Sequence, residues 1–313
     1  MIQHDTWQSD LFRLAGLSWS VPISAGFGRR LRYLVWDDHN GKLIGIMALG
    51  DPVFNLKVRD ELVDWDVKDR AKRLVNVLDA YVLGAVPPYN KLLGGKLVAA
   101  LMRTKQVRDD FARKYGDARG IISKKKKGAQ LVMITTSSAL GKSSIYNRLS
   151  LGGQKYLRPI GYTQGWGHFH VPNTLFAELR AYLRTLKHGY VDGHRFGNGP
   201  NWRLRTLRAA FDSLGFKSDL LKHGIGREVF VCELAVNARK ILRGERKRAA
   251  YRGLKTVEEV AALARDKWLV PRALRRPQYR DWDRSQYEDL VLHHRLPAPE
   301  VEQTPIVVFR KVA

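Results

Sequence analysis

The sequence predicts an α+β fold: a mixed β-sheet flanked by helices, followed by a basic, mainly helical C-terminal extension. Three observations predict it. Up to about residue 172, short apolar runs and helix-period segments follow one another in the order β-β-β-loop-α-β-loop-α-β. Beyond that point amphipathic helical stretches dominate, separated by glycine-rich or basic loops. The 313 residues, 44% hydrophobic, suffice to bury a sizeable core as one large domain or two smaller ones. The expected division is a peripheral N-terminal segment 1–26, an α/β core 27–172, a basic helical extension 173–296 packed on that core, and a tail 297–313.

The elements follow in order. DLFRLAGL is a short N-terminal helix. RLRYLVWDDHNGKLIGIMALG reads as a β-hairpin turning at Asn40-Gly41. Residues 53–70 are mixed, with room for one short helix. RLVNVLDAYVL, Arg73 to Leu83, is a strand, and the loop GAVPPYN leads from it into LLGGKLVAALMRTKQVRDDFARKYG, one helix by its period. ISKKKKGA is an exposed basic turn and QLVMITT the next strand. SSALGKSS then loops into a short helix carrying Tyr146, Asn147 and Arg148, followed by glycine-rich extended chain, KYLRPIGYTQGWGHFH. NTLFAELRAYLRTL is a helix capped by Asn173 or Thr174, and NWRLRTLRAAFDSLG a helix ended by Gly215. REVFVCELA is a strand, ARKILRGERKRAAYRGLK a basic tract, and TVEEVAALARDKWL an amphipathic helix with Thr256 as its cap. No internal repeat is visible.

Charge bounds the partners. Lys and Arg number 55 against 30 Asp and Glu, a formal net charge of +25. Such an excess favours a polyanion, most simply nucleic acid. A generic basic surface has the same composition. No apolar run approaches the roughly 20 residues of a spanning helix, and no signal-peptide pattern opens the chain, so no membrane partner is expected. The single Cys232 permits no internal disulfide, which suits a cytoplasmic location, and excludes a multi-cysteine zinc site. Lying mid-strand, it reads as a small buried hydrophobe.

Several segments carry residues suited to chemistry. Gly141, Lys142 and Ser143 end a near-match to G-x-x-x-x-G-K-[ST], whose backbone amides cradle phosphates. Thr136 stands where the first glycine belongs, and a β-branched residue fits that turn poorly. A helix start capped by Ser143 or Ser144 explains the same residues. Tyr146 with Ser143, Ser144 and Arg148 has the residue types for acid–base or nucleophilic work, although a tyrosine packed on a helix is commoner. His168 and His170 alternate in GHFH and so share a strand face. With Asp192 and His194 they could ligate a metal, or serve as hydrogen-bonded surface histidines, and no metal is assigned. The glycine-rich DGHRFGNGPNWRLRTLR offers Arg195, Arg203, Arg205 and Arg208 to phosphates and Phe196 and Trp202 to bases, or forms a tight packing loop with both aromatics in the core. Lys124, Lys125, Lys126 and Lys127 make a solvated tip that can touch a phosphate backbone without sequence preference. Lys142 and Arg148 extend that candidate nucleic-acid set.

RLRYLVWD, RDELVDWD, LDAYVLGAVPPYNKLLGGKLVAAL, LVMITTSSALGKSSIYNRL, YTQGWGHFH and DGHRFGNGPNWRLRTLRAA together resemble the DruA family of the Druantia anti-phage system, over most of the chain. Related domains accompany some transposases. The resemblance implies a DNA-binding protein of prokaryotic anti-phage defence, DNA processing being its enzymatic extension, with other defence-system proteins as further partners. The element order also resembles the GNAT acyltransferase fold, in which an R/Q-x-x-G-x-G/A loop after a strand binds the pyrophosphate of acetyl-coenzyme A. That likeness points to Lys91, Gly94 and Gly95, with Lys91 in place of Arg or Gln and Lys96 in place of the last small residue. It makes Tyr146 the general acid, and group transfer an alternative function. P-loop nucleotide hydrolysis is a further alternative. No cofactor follows from the residues themselves. On such a sheet, Tyr89, Asn90, Lys91, Ser143 and Tyr146 should line one pocket with His168 near its rim.

Overall fold

The computed structural model describes residues 1–3, 5–19, 23, 28–117, 128–139, 141–164, 169, 171–189, 191 and 202–293. The elements, in chain order, are α1 (Trp7–Gly16), β1 (Arg30–Asp37), β2 (Lys42–Gly50), α2 (Lys57–Val63), α3 (Val67–Arg73), β3 (Val77–Ala85), α4 (Gly94–Leu101), α5 (Lys105–Tyr115) and β4 (Met133–Ser137). There follow α6 (Ser144–Asn147), β5 (Ser150–Leu151), β6 (Gln154–Lys155), β7 (Arg158–Tyr162), α7 (Asn173–Thr185), α8 (Trp202–Ser213), β8 (Glu228–Glu233), α9 (Ala238–Arg243), α10 (Val257–Ala264), α11 (Val270–Arg275) and α12 (Arg284–His293). Between α10 and α11 the backbone widens into a π-helical turn, Arg265–Leu269.

Among the described residues, six strands form one sheet in the order β1-β2-β3-β4-β8-β7, with β5 and β6 as a separate ribbon. The β3–β4 pair is parallel and every other pairing in the sheet is antiparallel. The hairpin β1–β2 turns where the sequence places it, with Gly41 at φ +65, a conformation glycine adopts freely. Thr256 caps α10 in a full capping box with Glu259. The fold is thus mixed α/β with a mostly antiparallel sheet between helical layers.

Alternation along the strands builds two cores. Leu31, Tyr33, Met47, Leu49, Leu78, Ile134, Phe230 and Cys232 bury one face with residues of α4, α5 and α10. On the other face, Val77, Met133 and Val231 pack with Val63 of α2 and Leu242 of α9. Ile46, Ala48 and Val82 pack there with Phe12 of α1. A bulge between β2 and β3 pairs Ala48 with Val82 but Leu49 with Ala80, leaving Tyr81 as the extra residue. It flips the parity of β3 partway along.

Four local expectations are corrected. The long helix-period segment is two helices, α4 and α5, because Thr104 takes an extended backbone to bridge Lys255 and its hydroxyl donates to the Leu101 carbonyl at 2.8 Å. Residues 57–73 hold two helices rather than one, separated by Asp64 in the left-handed region (φ 56). β3 begins at Val77, since Arg73 ends α3 and Leu74–Asn76 form a single 3-10 turn. Pro172 holds the cap position of α7, and the Asn173 side-chain carbonyl accepts from Arg203 at 2.7 Å instead of capping. Strand β8 lies beyond the expected core boundary at residue 172 yet occupies the sheet between β4 and β7. The pair α7–α8 enters between β7 and β8 with small apolar clusters of its own, around Phe176, Leu207 and Leu221 and around Leu183 and Ala210.

Candidate functional site

The sheet opens at its parallel junction. Backbone pairing joins Val77 to Met133, Leu78 to Ile134 and Asp79 to Thr135, and the Thr136 hydroxyl donates to the Ala80 carbonyl at 2.8 Å. Beyond that, β3 runs on to Ala85 while β4 stays with β8, as far as Ser137 opposite Val229. From this fork the loop after β4 leads into the single turn of α6, which lies against α4 and β7.

Glu228, the first residue of β8, organises the loop. Its carboxylate accepts from the Ser143 amide at 3.1 Å and from Asn147 Nδ2 at 2.8 Å, and its own amide donates to the Gly141 carbonyl at 2.9 Å. Ser143 caps α6, its hydroxyl accepting from the Tyr146 amide at 3.3 Å. These contacts match the capped-helix reading of the Gly-Lys-Ser loop. Thr136 is a strand residue in β4, α6 is four residues long, and the Ser143 amide meets a carboxylate rather than open space. The Ser143 amide is thus taken by Glu228 and not left free at the helix start.

The Tyr146 ring meets Phe230 edge-on at 5.4 Å. Burial pushes its hydroxyl up to about 12; the Asp79 charge adds to this and a hydrogen bond with Thr136 opposes it. At neutral pH Tyr146 is therefore a protonated phenol, suited to donate a hydrogen bond or a proton and not to attack as a nucleophile. Strand alternation puts Asp79 on the opposite face, with Val77. Desolvation lifts its carboxyl to about 6, against the 2.7 Å hydrogen bond from the Thr135 hydroxyl and the charges of Arg59 and Arg30. A carboxyl titrating near neutrality is a candidate acid–base group.

Cations flank the fork. Lys96 of α4 lies 5.3 Å from the centre of the Trp268 ring. Burial lowers its pKa, and Arg148, just after α6, and Lys267, in the π-helical turn, lower it further by repulsion. Lys267 donates to the Ser150 carbonyl at 2.8 Å. Among the described residues none of the three carries an ion pair within 4.0 Å. Lys142 is exposed nearby.

The residues expected to share one pocket divide. Tyr89 and Tyr146 pack on the same apolar cluster, but the Tyr89 hydroxyl turns to Asp37 Oδ2 at 2.5 Å and to Asn40 at the β1–β2 turn. In the loop before α4, the amides of Lys91, Leu92 and Gly94 donate to the Pro88 and Tyr89 carbonyls at 2.8–3.0 Å, and the Lys91 carbonyl accepts from Arg272 at 3.1 Å. A Cβ on Gly94 would meet the Tyr89 carbonyl at 2.7 Å, whereas Gly95 faces open space. In α8, Arg203 donates to Val171 O and Asn173 Oδ1, both at 2.7 Å, and lies 4.2 Å from the centre of the Phe176 ring. Trp202 packs edge-on against Phe176 at 5.4 Å. Both therefore tie α7 to α8, while Arg205 and Arg208 are exposed. Cys232 is buried and its thiol pushed up to about 12 by desolvation, as an inert core residue requires. His168, His170, Asp192, His194, Arg195, Phe196 and Lys124 to Lys127 lie outside the described residues. Among those described, no group of three or more His, Cys, Asp or Glu is placed to hold a metal ion, and no helix is long and apolar enough to cross a membrane.

Sequence reasoning missed Glu228, Asp79, Thr136, Lys96 and Lys267 as site residues. Glu228 carried one usable signal: on a strand it shares a face with Phe230 and Cys232, and a carboxylate on an apolar face requires donors. The cations carried none, because they meet only through the packing of α4, α6 and the π-helical turn.

Fold and fork together define a basic mixed α/β protein in which the parallel β3–β4 junction lies near cations that have no ion-pair partner among the described residues. The chain belongs to the DruA family of the Druantia anti-phage system. The family model for Druantia protein DruA matches residues 1–244. The chain is also 56% identical over 308 residues to a Druantia protein DruA of Escherichia coli (strain UMEA 4076-1), an alignment spanning 97% of this chain and 76% of that one. No solved structure matches it.

Proposed function

We propose that the protein binds DNA within the Druantia defence system, with the fork between β3 and β4 on the DNA-facing surface. The observation that carries this is the placing of Lys96 over Trp268 beside Arg148 and Lys267, none of the three ion-paired within 4.0 Å among the described residues, in a chain of net charge +25. Like charges drawn together cost free energy unless an anion joins them, and a phosphate backbone supplies anions at regular spacing. Exposed Arg205, Arg208 and Lys142 extend the positive surface. Processing of the bound strand would fall to Tyr146 as proton donor, with Asp79 as a titrating carboxyl behind it.

Binding should be measured by fluorescence anisotropy with duplex DNA across a salt series. Affinity is expected to fall by on the order of a hundredfold or more between about 50 and 200 mM salt. Replacing Lys96, Arg148 and Lys267 by Ala should weaken all sequences alike and flatten the salt slope by about one per lost phosphate contact. Absence of binding at low salt refutes the proposal.

Group transfer on a GNAT-like sheet is the second reading. It is favoured by the strand order and by the parting of the parallel pair beyond Thr136, beside the start of α4. The inward-bonded amides of Lys91, Leu92 and Gly94 leave less of a backbone cradle for a pyrophosphate, so DNA binding stands first.

A further inference from the structure

The ribbon of β5 and β6 carries a two-glycine turn on an anchored base. Leu149, Leu151, Tyr156 and Leu157 are buried in the main core, and the Tyr156 amide donates to the Leu149 carbonyl at 2.9 Å. Leu151 pairs with Gln154 across the turn Gly152-Gly153, and Gln154 Oε1 accepts from Arg103 at 2.9 Å. Both glycines take positive φ, 54 and 73, which a turn this tight requires and few other residues adopt. Residues 152–155 are exposed and bear no apolar side chain, so this tip adds nothing to the core. What it presents is backbone: neither glycine amide has an acceptor among the described residues.

Lysines from three segments surround the tip. Lys155 is its own, paired across the ribbon with Ser150. Lys267, in the π-helical turn, donates to the Ser150 carbonyl at 2.8 Å. Lys255, just before α10, brings its Cε to 3.7 Å from the point where a Cβ on Gly152 would stand. None of the three makes an ion pair within 4.0 Å among the described residues. The carboxylates close to them in sequence are engaged: Glu259 accepts from the Thr256 amide at 2.7 Å and Asp266 from Arg265 at 2.8 Å. A Cβ on Gly153 would meet nothing within 4 Å, so the space beside the tip is open.

We infer that the β5–β6 turn grips a phosphate of the DNA backbone, the Gly152 and Gly153 amides donating to its oxygens and Lys155, Lys255 and Lys267 supplying the charge. This rests on the DNA-binding proposal above and adds to it the contact that fixes where the backbone lies. Amides at a glycine turn are already oriented, and with no Cβ in the way an anion can approach closely. Lysine side chains alone would give up rotamer freedom to hold the same group. A backbone contact at an anchored tip positions a strand whatever its bases. A carboxylate on a protein partner offers similar acceptors at one point. The cations, however, run on from Lys267 to Arg148 and Lys96, which matches a polymer of regularly spaced anions.

The test places a carboxylate at the tip. Asn and Asp both tolerate the left-handed backbone, so Gly153→Asn keeps the turn with a neutral side chain and Gly153→Asp with a negative one. Gly41→Asp, in the β1–β2 turn, is the matched control, for Gly41 also has positive φ (65) and open space beside it. Duplex binding by each full-length chain, checked as folded by circular dichroism, is followed by fluorescence anisotropy across a salt series. Gly153→Asp should weaken binding about tenfold near 100 mM salt and flatten the salt slope by about one, the loss of one phosphate contact. Gly153→Asn and Gly41→Asp should stay within about threefold of the wild type, since exposed charges away from the contact are screened. Lys155→Ala serves if the Gly153 variants misfold, and should also flatten the slope by about one. In protein isotopically labelled at glycine nitrogen, the resonance lost in Gly153→Asn identifies Gly153, and it should move as duplex DNA is added. Equal losses in Gly153→Asp and Gly41→Asp, or a stationary Gly153 resonance on DNA that binds, overturn the turn assignment and leave the DNA proposal standing. A resonance that ignores DNA but moves with poly-glutamate assigns the tip to an acidic protein instead. No duplex binding by the wild type at low salt overturns both proposals.

Discussion

Replacing Tyr146 in two ways separates its packing from its chemistry. Tyr146→Ala removes a ring that meets Phe230 edge-on at 5.4 Å over the main core. Aromatic truncations cost about 3–5 kcal/mol when fully buried, and Tyr146 keeps partial exposure, so a loss of about 3 kcal/mol is expected. Tyr146→Phe keeps the ring and deletes the hydroxyl. The Thr136 hydroxyl retains the Ala80 carbonyl as partner at 2.8 Å, so this change leaves no orphaned group there and should cost about 1 kcal/mol or less. Urea unfolding of the two purified variants measures both values. Phage protection in cells carrying the complete defence system then reads the chemistry, and Tyr146→Phe should lose protection while remaining folded. Full protection by the Phe variant would show that Tyr146 is core alone and would remove the proton donor from the proposed fork. An Ala variant as stable as the Phe variant would refute the ring packing itself.

Other perturbations test the structure around the fork. Arg59 is fully buried, donating to Asp60 at 2.7 Å and to the Val53 and Phe54 carbonyls at 2.8 Å, so Arg59→Ala should cost about 3–5 kcal/mol in urea unfolding, and Lys should fail to rescue it because only the guanidinium fork reaches all three acceptors. Rescue by Lys would refute the geometry. Because the folded state raises the Asp79 carboxyl from 3.8 to about 6, it holds that proton more tightly than the unfolded chain. Stability from this group is greatest below about pH 4 and is lost as pH rises towards 6, by up to about 3 kcal/mol. Asp79→Asn should therefore gain on the wild type in unfolding measurements from pH 4 to 6 and hold a constant lead above; a difference independent of pH would refute the buried carboxyl.

What was legible in the sequence was what neighbours along the chain decide. The β1–β2 hairpin could be read because Asn40-Gly41 sits between two apolar runs, and α10 because Thr256 and Glu259 complete a cap within one turn. The break between α4 and α5 could not, since Thr104 leaves the helix to pair with Lys255, about 150 residues on in sequence. The position of β8 was equally hidden. REVFVCELA reads as a strand from its own residues, but nothing local says that it inserts between β4 and β7 after two intervening helices. Tyr146 was visible as a residue type; its Phe230 contact was not, because that contact depends on where β8 lies. Trp202 and Arg203 show the converse, residues suited to nucleic acid whose contacts within the fold are packing contacts on Phe176.

The position of Glu228 also explains why a loop so close to a phosphate-binding motif reads differently once folded. A phosphate cradle works by leaving backbone amides free at a helix start. Here the amide at Ser143 is met by a carboxylate from a strand that enters the sheet 85 residues later. That carboxylate also repels an incoming phosphate at the same spot. Positive charge is left instead on side chains to either side, at Lys96, Arg148 and Lys267. Amide cradles select a terminal phosphate by shape, whereas separated side-chain cations meet a phosphate backbone without regard to sequence. On the DNA-binding proposal, this charge pattern suits a polymer lying across the fork better than a nucleotide seated in its loop.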